Sequence, residues 1–167
     1  MKIDRRTRMR SIMPLLTEER VQQLAEQVPC VPLDKPLLRM TCGEFIEALE
    51  ADYPMRYLRE RRVFTAFGHF RQYMEEMRSV TNYIKRCEVE QDADEKAAAN
   101  GVNFPSLGER ILVDCVRHFS LHSTAEAERI PLTDWLLMLK SDSAAAQYQR
   151  NLSKIQSKKH HDTGRHR

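Results

Sequence analysis

The chain has 167 residues, a formal net charge of +3, a hydrophobic fraction of 41% and only 5 glycines. This length suits one domain with tails. Many charged residues and few glycines favour helices, because straight-chain charged side chains lose little rotamer freedom in a helix. No apolar run approaches the roughly 20 residues that span a bilayer, and no apolar signal segment follows the basic N-terminus. We therefore expect an all-α cytoplasmic protein that does not bind membranes.

The charge is distributed unevenly along the chain. Residues 1–13 carry a net charge of +4 and the last eighteen residues carry +5, so the segment between them carries −6. Short basic ends on an acidic body are a common device for contacting a polyanion. We predict a basic flexible arm over 1–13 and a basic, histidine-containing tail over 157–167. The side chains expected to contact phosphates are Arg5, Arg6, Arg8, Arg10, Lys154, Lys158 and Lys159.

The first predicted helix begins after Thr17, a favourable N-cap that is followed by two glutamates. Pro29 ends this helix, and three prolines between 29 and 40 indicate an extended connector. Residues 14–40 are therefore predicted to be a short helix with a proline-rich connector. The helical bundle is expected to follow over 41–156.

The bundle is predicted to start with a capping box formed by Thr41 and Glu44. The surrounding residues 34–49, Asp-Lys-Pro-Leu-Leu-Arg-Met-Thr-Cys-Gly-Glu-Phe-Ile-Glu-Ala-Leu, include a Pro-Leu pair, a threonine cap and a Glu-Phe pair. This segment resembles the leading segment of small helix-turn-helix accessory proteins of bacterial mobile elements. The resemblance implies a mobile-element or phage setting, and it assigns no functional residue of this chain.

The longest predicted helix runs from about 55 to 90. Its heptad pattern places apolar residues at three positions in seven, which is typical of a helix inside a globular bundle. We predict an irregular all-α bundle of five or six helices around this central helix. The inward positions are Val63, Ala66, Phe67, Phe70, Tyr73, Met74, Met77, Val80, Ile84 and Cys87.

Basic residues along this helix have two interpretations. Arg71, Arg78 and Lys85 recur every seven residues, and four arginines crowd the first turns at 56, 59, 61 and 62. Arginines on one side of a helix could follow a phosphate backbone. We favour the alternative, in which they pair with glutamates of the same helix, as the spacing of Arg71 and Glu75 allows.

The second half of the chain contains two further capping boxes, Ser106 with Glu109 and Ser123 with Glu126. The segment 135–139 that follows is apolar on every side, so it is either core or a contact surface. If it is exposed, Trp135 and Met138 are the expected anchors for a partner protein. A separate last helix is predicted to begin at the serine-rich segment 141–143, with one thin stripe formed by Ala145, Tyr148, Leu152 and Ile155.

The four cysteines contain no Cys-x-x-Cys motif, and we expect them to be reduced thiols. Cys115, His118 and His122 would share one helical face, which makes them a candidate set of zinc ligands. We favour a packing role for Cys115 with the two histidines at the rim. The expectation is therefore that the protein binds no metal and no other cofactor.

No catalytic motif with a recognisable mechanism occurs in the chain. We therefore expect a non-catalytic binding protein. The favoured hypothesis is a nucleic-acid-associated accessory protein whose basic arms contact phosphates without reading sequence. The alternative is a helical protein-interaction or assembly module, such as an adaptor, a chaperone, a phage structural subunit or a homo-oligomer.

Overall fold

The structure is a computed structural model that describes residues 8–50, 53–89 and 93–164. These residues form an all-α bundle without a β-strand, as the composition predicts. The α-helices are α1 (Glu18–Glu26), α2 (Cys42–Ala48), α3 (Tyr53–Leu58), α4 (Val63–Cys87), α5 (Ala93–Ala99), α6 (Leu107–His118), α7 (Thr124–Ala127) and α8 (Leu132–Gly164). Single 3-10 turns occupy Met9–Ser11, Met13–Leu15 and Leu37–Arg39. None of the helices in these ranges is long and apolar enough to cross a membrane.

Local side-chain hydrogen bonds set the helix starts that the sequence predicts. The Thr41 hydroxyl accepts a hydrogen bond from the Glu44 amide, and the Glu44 carboxylate accepts one from the Thr41 amide at 2.8 Å. Ser106 and Glu109 form the same reciprocal pair at the start of α6. These two capping boxes are confirmed.

The predicted helix over 55–90 is two helices. α3 ends at Leu58, α4 begins at Val63, and residues 59–62 form the turn between them. The carbonyl oxygens of Arg59 and Arg61 accept hydrogen bonds from residues 10 and 9, so they are not used within a helix. Contact with a distant part of the chain therefore accompanies the break, and no glycine or proline marks it.

The predicted start of a separate helix at 141–143 is also wrong. α8 continues through these residues for 33 residues in total, which makes it longer than α4 with 25. No glycine or proline lies between Leu132 and Gly164, and Ser141 and Asp142 are exposed on the helix surface. Serine and aspartate can cap a helix, but they are also tolerated on an exposed helical face.

Buried residues form two packed clusters on α4. The larger cluster joins α4 to α2, α6 and α8, and its largest side chains are Phe45, Tyr73 and Trp135. The smaller cluster joins the first turns of α4 to α1, the end of α3 and the N-terminal segment. The apolar stripe of α4 is therefore covered by its neighbours, as the heptad pattern predicts.

The prediction of a flexible arm is wrong for residues 8–13. Met9 is completely buried and Ile12 is 2% exposed, and both belong to the smaller cluster. The apolar side chains of this segment gain enough from burial to hold it against the body. Residues 1–7 lie outside the described part of the chain.

Candidate nucleic-acid interface

The N-terminal segment pairs with the turn between α3 and α4. The Met9 amide donates a hydrogen bond to the Arg61 carbonyl at 2.8 Å, and the Arg10 amide donates one to the Arg59 carbonyl at 2.9 Å. Arg8 and Arg62 form an antiparallel bridge next to these bonds. Directly opposite residues in such a pair present their side chains on the same face, so Arg8 and Arg62 lie side by side.

Glu60 forms ion pairs with both arginines of the N-terminal segment that the structure describes. One oxygen of its carboxylate, Oε2, lies 3.2 Å from Nη1 of Arg8 and 3.3 Å from Nη1 of Arg10. All three side chains are more than half exposed. Exposed ion pairs contribute little to stability, so Glu60 orients the two guanidinium groups while the buried Met9 supplies the attachment.

Two further arginines lie on this turn without a counter-charge. Arg59 and Arg62 are exposed and form no ion pair with any described residue. Arg8, Arg10, Arg59 and Arg62, taken together with the carboxylate of Glu60, have a formal charge of +3. We call these four arginines the arginine patch.

The neighbouring arginines are already neutralised. Arg61 forms an ion pair with Asp34, and Arg56 lies 2.6 Å from a carboxylate oxygen of Glu50. The patch is therefore a subset of the basic residues near the turn. It combines the arginines of two segments that are about fifty residues apart in the sequence.

The other side chains that were predicted to contact phosphates are not part of the arginine patch. Arg5 and Arg6 lie outside the described residues. Lys154 is exposed on the last part of α8, and Lys158 and Lys159 belong to the same helix, although only their backbone is described. Residues 157–164 of the predicted tail are therefore helical. No contact among the described residues joins Lys154 to the arginine patch.

Arg71 has the structural role that the sequence favours. Its Nε lies 3.1 Å from the Glu75 carboxylate, and its Nη1 donates hydrogen bonds to the carbonyls of Val28 and Glu26 at 2.8 and 3.3 Å. These carbonyls are at and just beyond the C-terminal end of α1, where helical carbonyls lack partners. Arg71 therefore ties α1 to α4 and does not extend the arginine patch.

The candidate zinc ligands do not share a face. α6 ends at His118, and Ser120 has a φ of 52°, so the chain turns away before His122. Cys115 is buried, whereas both histidines are exposed. No group of three or more potential ligands with metal-binding geometry occurs among the described residues.

Cys115 packs instead against a second thiol. Its sulfur lies 3.8 Å from that of Cys42, across the contact between α2 and α6. The hydrogen bond with Cys115 and burial raise the pKa of Cys42 well above its ordinary value. All four cysteines are free in the structure, and Cys42 and Cys115 serve as core residues.

Trp135 and Met138 are core residues, so they cannot anchor a partner as the exposed alternative required. Trp135 is completely buried and Met138 is 5% exposed. Leu137, in the same apolar segment, is 67% exposed. The segment therefore contributes most of its side chains to the core and leaves Leu137 at the surface.

No known protein family, no curated protein and no solved structure matches this chain. The resemblance of residues 34–49 to mobile-element accessory proteins therefore stays a prediction. In the structure this segment supplies the Leu37–Arg39 turn and the capped start of α2.

Proposed function

We propose that this protein is a non-catalytic, nucleic-acid-associated accessory protein that contacts phosphates through the arginine patch. The observation that carries the proposal is the antiparallel pairing of residues 8–10 with residues 59–62. This pairing joins the basic N-terminal segment to an Arg-Glu-Arg-Arg turn. The pairing thereby brings two basic stretches next to each other, which gives a local excess of positive charge.

The chemistry of the patch suits phosphate. Guanidinium groups present planar sets of N–H donors that match phosphate oxygens, and they stay charged at all relevant pH values. Arg8 and Arg10 are held on a backbone that is already paired, so binding has less side-chain and backbone freedom to remove. Contacts to phosphates position a protein without reading base sequence. The expected binding is therefore independent of sequence.

The acidic body limits where a polyanion can lie. Residues 14–149 have a net charge of −6 although they include two of the patch arginines, Arg59 and Arg62. A nucleic acid is therefore repelled by most of the surface and attracted at the patch. We expect a limited contact and not a wrapped duplex.

Fluorescence anisotropy with a labelled duplex of arbitrary sequence tests this proposal. The patch variant is Arg59→Gln/Arg62→Gln, because neither side chain has an ion pair to lose. The matched control is Arg117→Gln/Arg129→Gln, which removes two exposed arginines of α6 and of the segment after α7. At about 50 mM salt we expect the patch variant to bind about tenfold more weakly and the control to bind like the wild type. Equal affinities of the two variants, or no binding by the wild type, would overturn the proposal.

A further inference from the structure

The outer face of α8 has no partner in the described structure. The first part of the helix buries Leu132, Trp135 and Leu136 in the core, but from Ser141 to Gln156 nearly every side chain is exposed. On this second part, Arg150 forms an ion pair with Glu95 of α5, whose carboxylate oxygens lie 2.7 and 2.9 Å away. The Arg150 contact therefore shows which side of α8 faces α5.

Four apolar residues lie on the opposite side. Ala145, Tyr148, Leu152 and Ile155 are separated by three, four and three residues, which places them within an arc of about 80° of the helix surface. At 3.6 residues per turn the centre of this arc is about 180° from Arg150. Tyr148 is 64% exposed and Ile155 is 52% exposed. We call these four residues the outer stripe, and their spacing is that of a two-heptad helix-pairing seam.

The charge around the outer stripe restricts the kind of helix that can pair with it. The positions that flank the stripe within 144–156 are occupied by Ala144, Gln149, Asn151 and Gln156, and none of these residues is charged. In helix pairs the flanking positions select the partner by charge. A strongly charged partner helix would find no complement here, whereas a second α8 meets no like-charge repulsion along residues 144–156. The stripe therefore suits a second copy of the same helix.

The relative direction follows from the basic end of the chain. A parallel pair would place Lys158 and Lys159 beside the same residues of the other copy, and like charges in contact repel. An antiparallel pair puts the two basic ends at opposite ends of the seam. It also sets Ala145 against Ile155 of the second copy, a small residue against a large one, and Tyr148 against Leu152.

We propose that α8 associates with α8 of a second copy of this chain as an antiparallel pair along the outer stripe. In this register Gln149 lies beside Gln149 of the second copy, and the two amides can hydrogen-bond to each other. The proposal does not depend on nucleic-acid binding, because none of the four patch arginines lies on α8. A seam of two heptads is small beside the interfaces of stable complexes, so the dimer is expected to depend on concentration.

Disulfide trapping tests both the association and its direction. In a full-length background with Cys30→Ser and Cys87→Ser, the thiol introduced by Gln149→Cys faces its own copy across an antiparallel seam. Air oxidation, with oxygen taking up the two electrons and two protons, should therefore cross-link it. Ile155→Cys is the matched control, because residue 155 faces residue 145 in this arrangement and should not cross-link. Cross-linking at 155 without 149 would overturn the antiparallel direction, and cross-linking at neither position would overturn the pairing.

Sedimentation of the unoxidised wild-type chain supplies an independent readout. At about 100 μM we expect a substantial dimer fraction that falls on dilution. Tyr148→Glu/Ile155→Glu should abolish the dimer because it places charges in the seam. Gln147→Glu, which lies outside the stripe, should leave the dimer intact. A wild-type monomer throughout, or equal dimerisation of the stripe variant, would overturn the proposal.

Discussion

The Met9 amide donates a hydrogen bond to the Arg61 carbonyl at 2.8 Å, and this bond joins two basic segments that lie far apart in the sequence. The buried Met9 side chain holds the N-terminal segment, and the neighbouring Arg8 and Arg10 stay exposed beside Glu60. An apolar anchor thus positions charged side chains at the surface. The proposed phosphate contacts depend on this arrangement.

Met9→Ala should release the N-terminal segment. Truncating a buried methionine costs about 2–5 kcal/mol when the surroundings do not collapse into the space. We expect a lower free energy of unfolding in urea and faster trypsin cleavage after Arg8 and Arg10. Met13→Ala is the control, because Met13 is only partly buried. Equal cleavage rates at these two sites in the wild type and the Met9 variant would show that the segment is not held by Met9.

Gly68→Ala should destabilise the contact between α4 and the proline-rich connector. A Cβ at position 68 would lie 2.4 Å from Cγ2 of Val31 and 2.8 Å from the Pro29 carbonyl oxygen, so these atoms must move. Overpacking of this kind costs about 1–3 kcal/mol. Gly108→Ala is the matched helical control, since its nearest contact is Cγ2 of Ile46 at 3.1 Å. If urea denaturation shows Gly108→Ala to be the more destabilised variant, the described packing of the connector is wrong.

His69 should make stability fall at mildly acidic pH. Burial lowers the pKa of His69 below its ordinary value, and the Arg61 guanidinium lowers it further, against opposing effects of the Asp34 carboxylate and the Pro32 backbone. The folded protein therefore keeps His69 neutral while the unfolded chain protonates it near pH 6.5. As the pH falls through this value, the unfolded state binds more protons and the free energy of unfolding decreases.

Urea denaturation at about pH 7.5 and about pH 5.5 measures this effect. The wild type and the exposed-site control His118→Gln should lose more stability between these two pH values than His69→Gln does. Glutamates with lowered pKa values, such as Glu44 and Glu109, titrate below this range and add little to the difference. The same pH dependence in all three proteins would contradict the neutral, buried state of His69.

Local signals in the sequence predicted much of the fold. The capping boxes at Thr41 and Ser106 and the apolar stripe of α4 depend on residues three to seven positions apart, so a single sequence reveals them. The break between α3 and α4 is accompanied by backbone hydrogen bonds from residues 9 and 10. The periodicity of residues 55–90 cannot reveal a contact with so distant a segment. The continuation of α8 was missed because the serines at 141 and 143 are equally compatible with a cap and with an exposed helical face.

The candidate site was predicted in part. Charge counting singled out the arginines of the N-terminal segment, and their contact with phosphates stays a prediction. It treated Met9 and Ile12 as incidental. These two apolar residues, three positions apart in a basic segment, were the available signal that the segment packs on the body. Arg59 and Arg62 were assigned to ion pairs because glutamates are nearby in sequence. Which arginines are paired depends on side-chain positions, which the spacing does not determine.

The salt dependence of duplex binding tests the central claim most directly. Each phosphate neutralised in duplex DNA contributes about 0.9 to the slope of log K against log salt concentration. We predict a steep negative slope for the wild type and for Arg117→Gln/Arg129→Gln. For Arg59→Gln/Arg62→Gln the slope should be shallower by about 1.8, since two contacts are lost. A wild-type affinity that does not change with salt, or an identical slope for the patch variant, would contradict phosphate binding at the arginine patch.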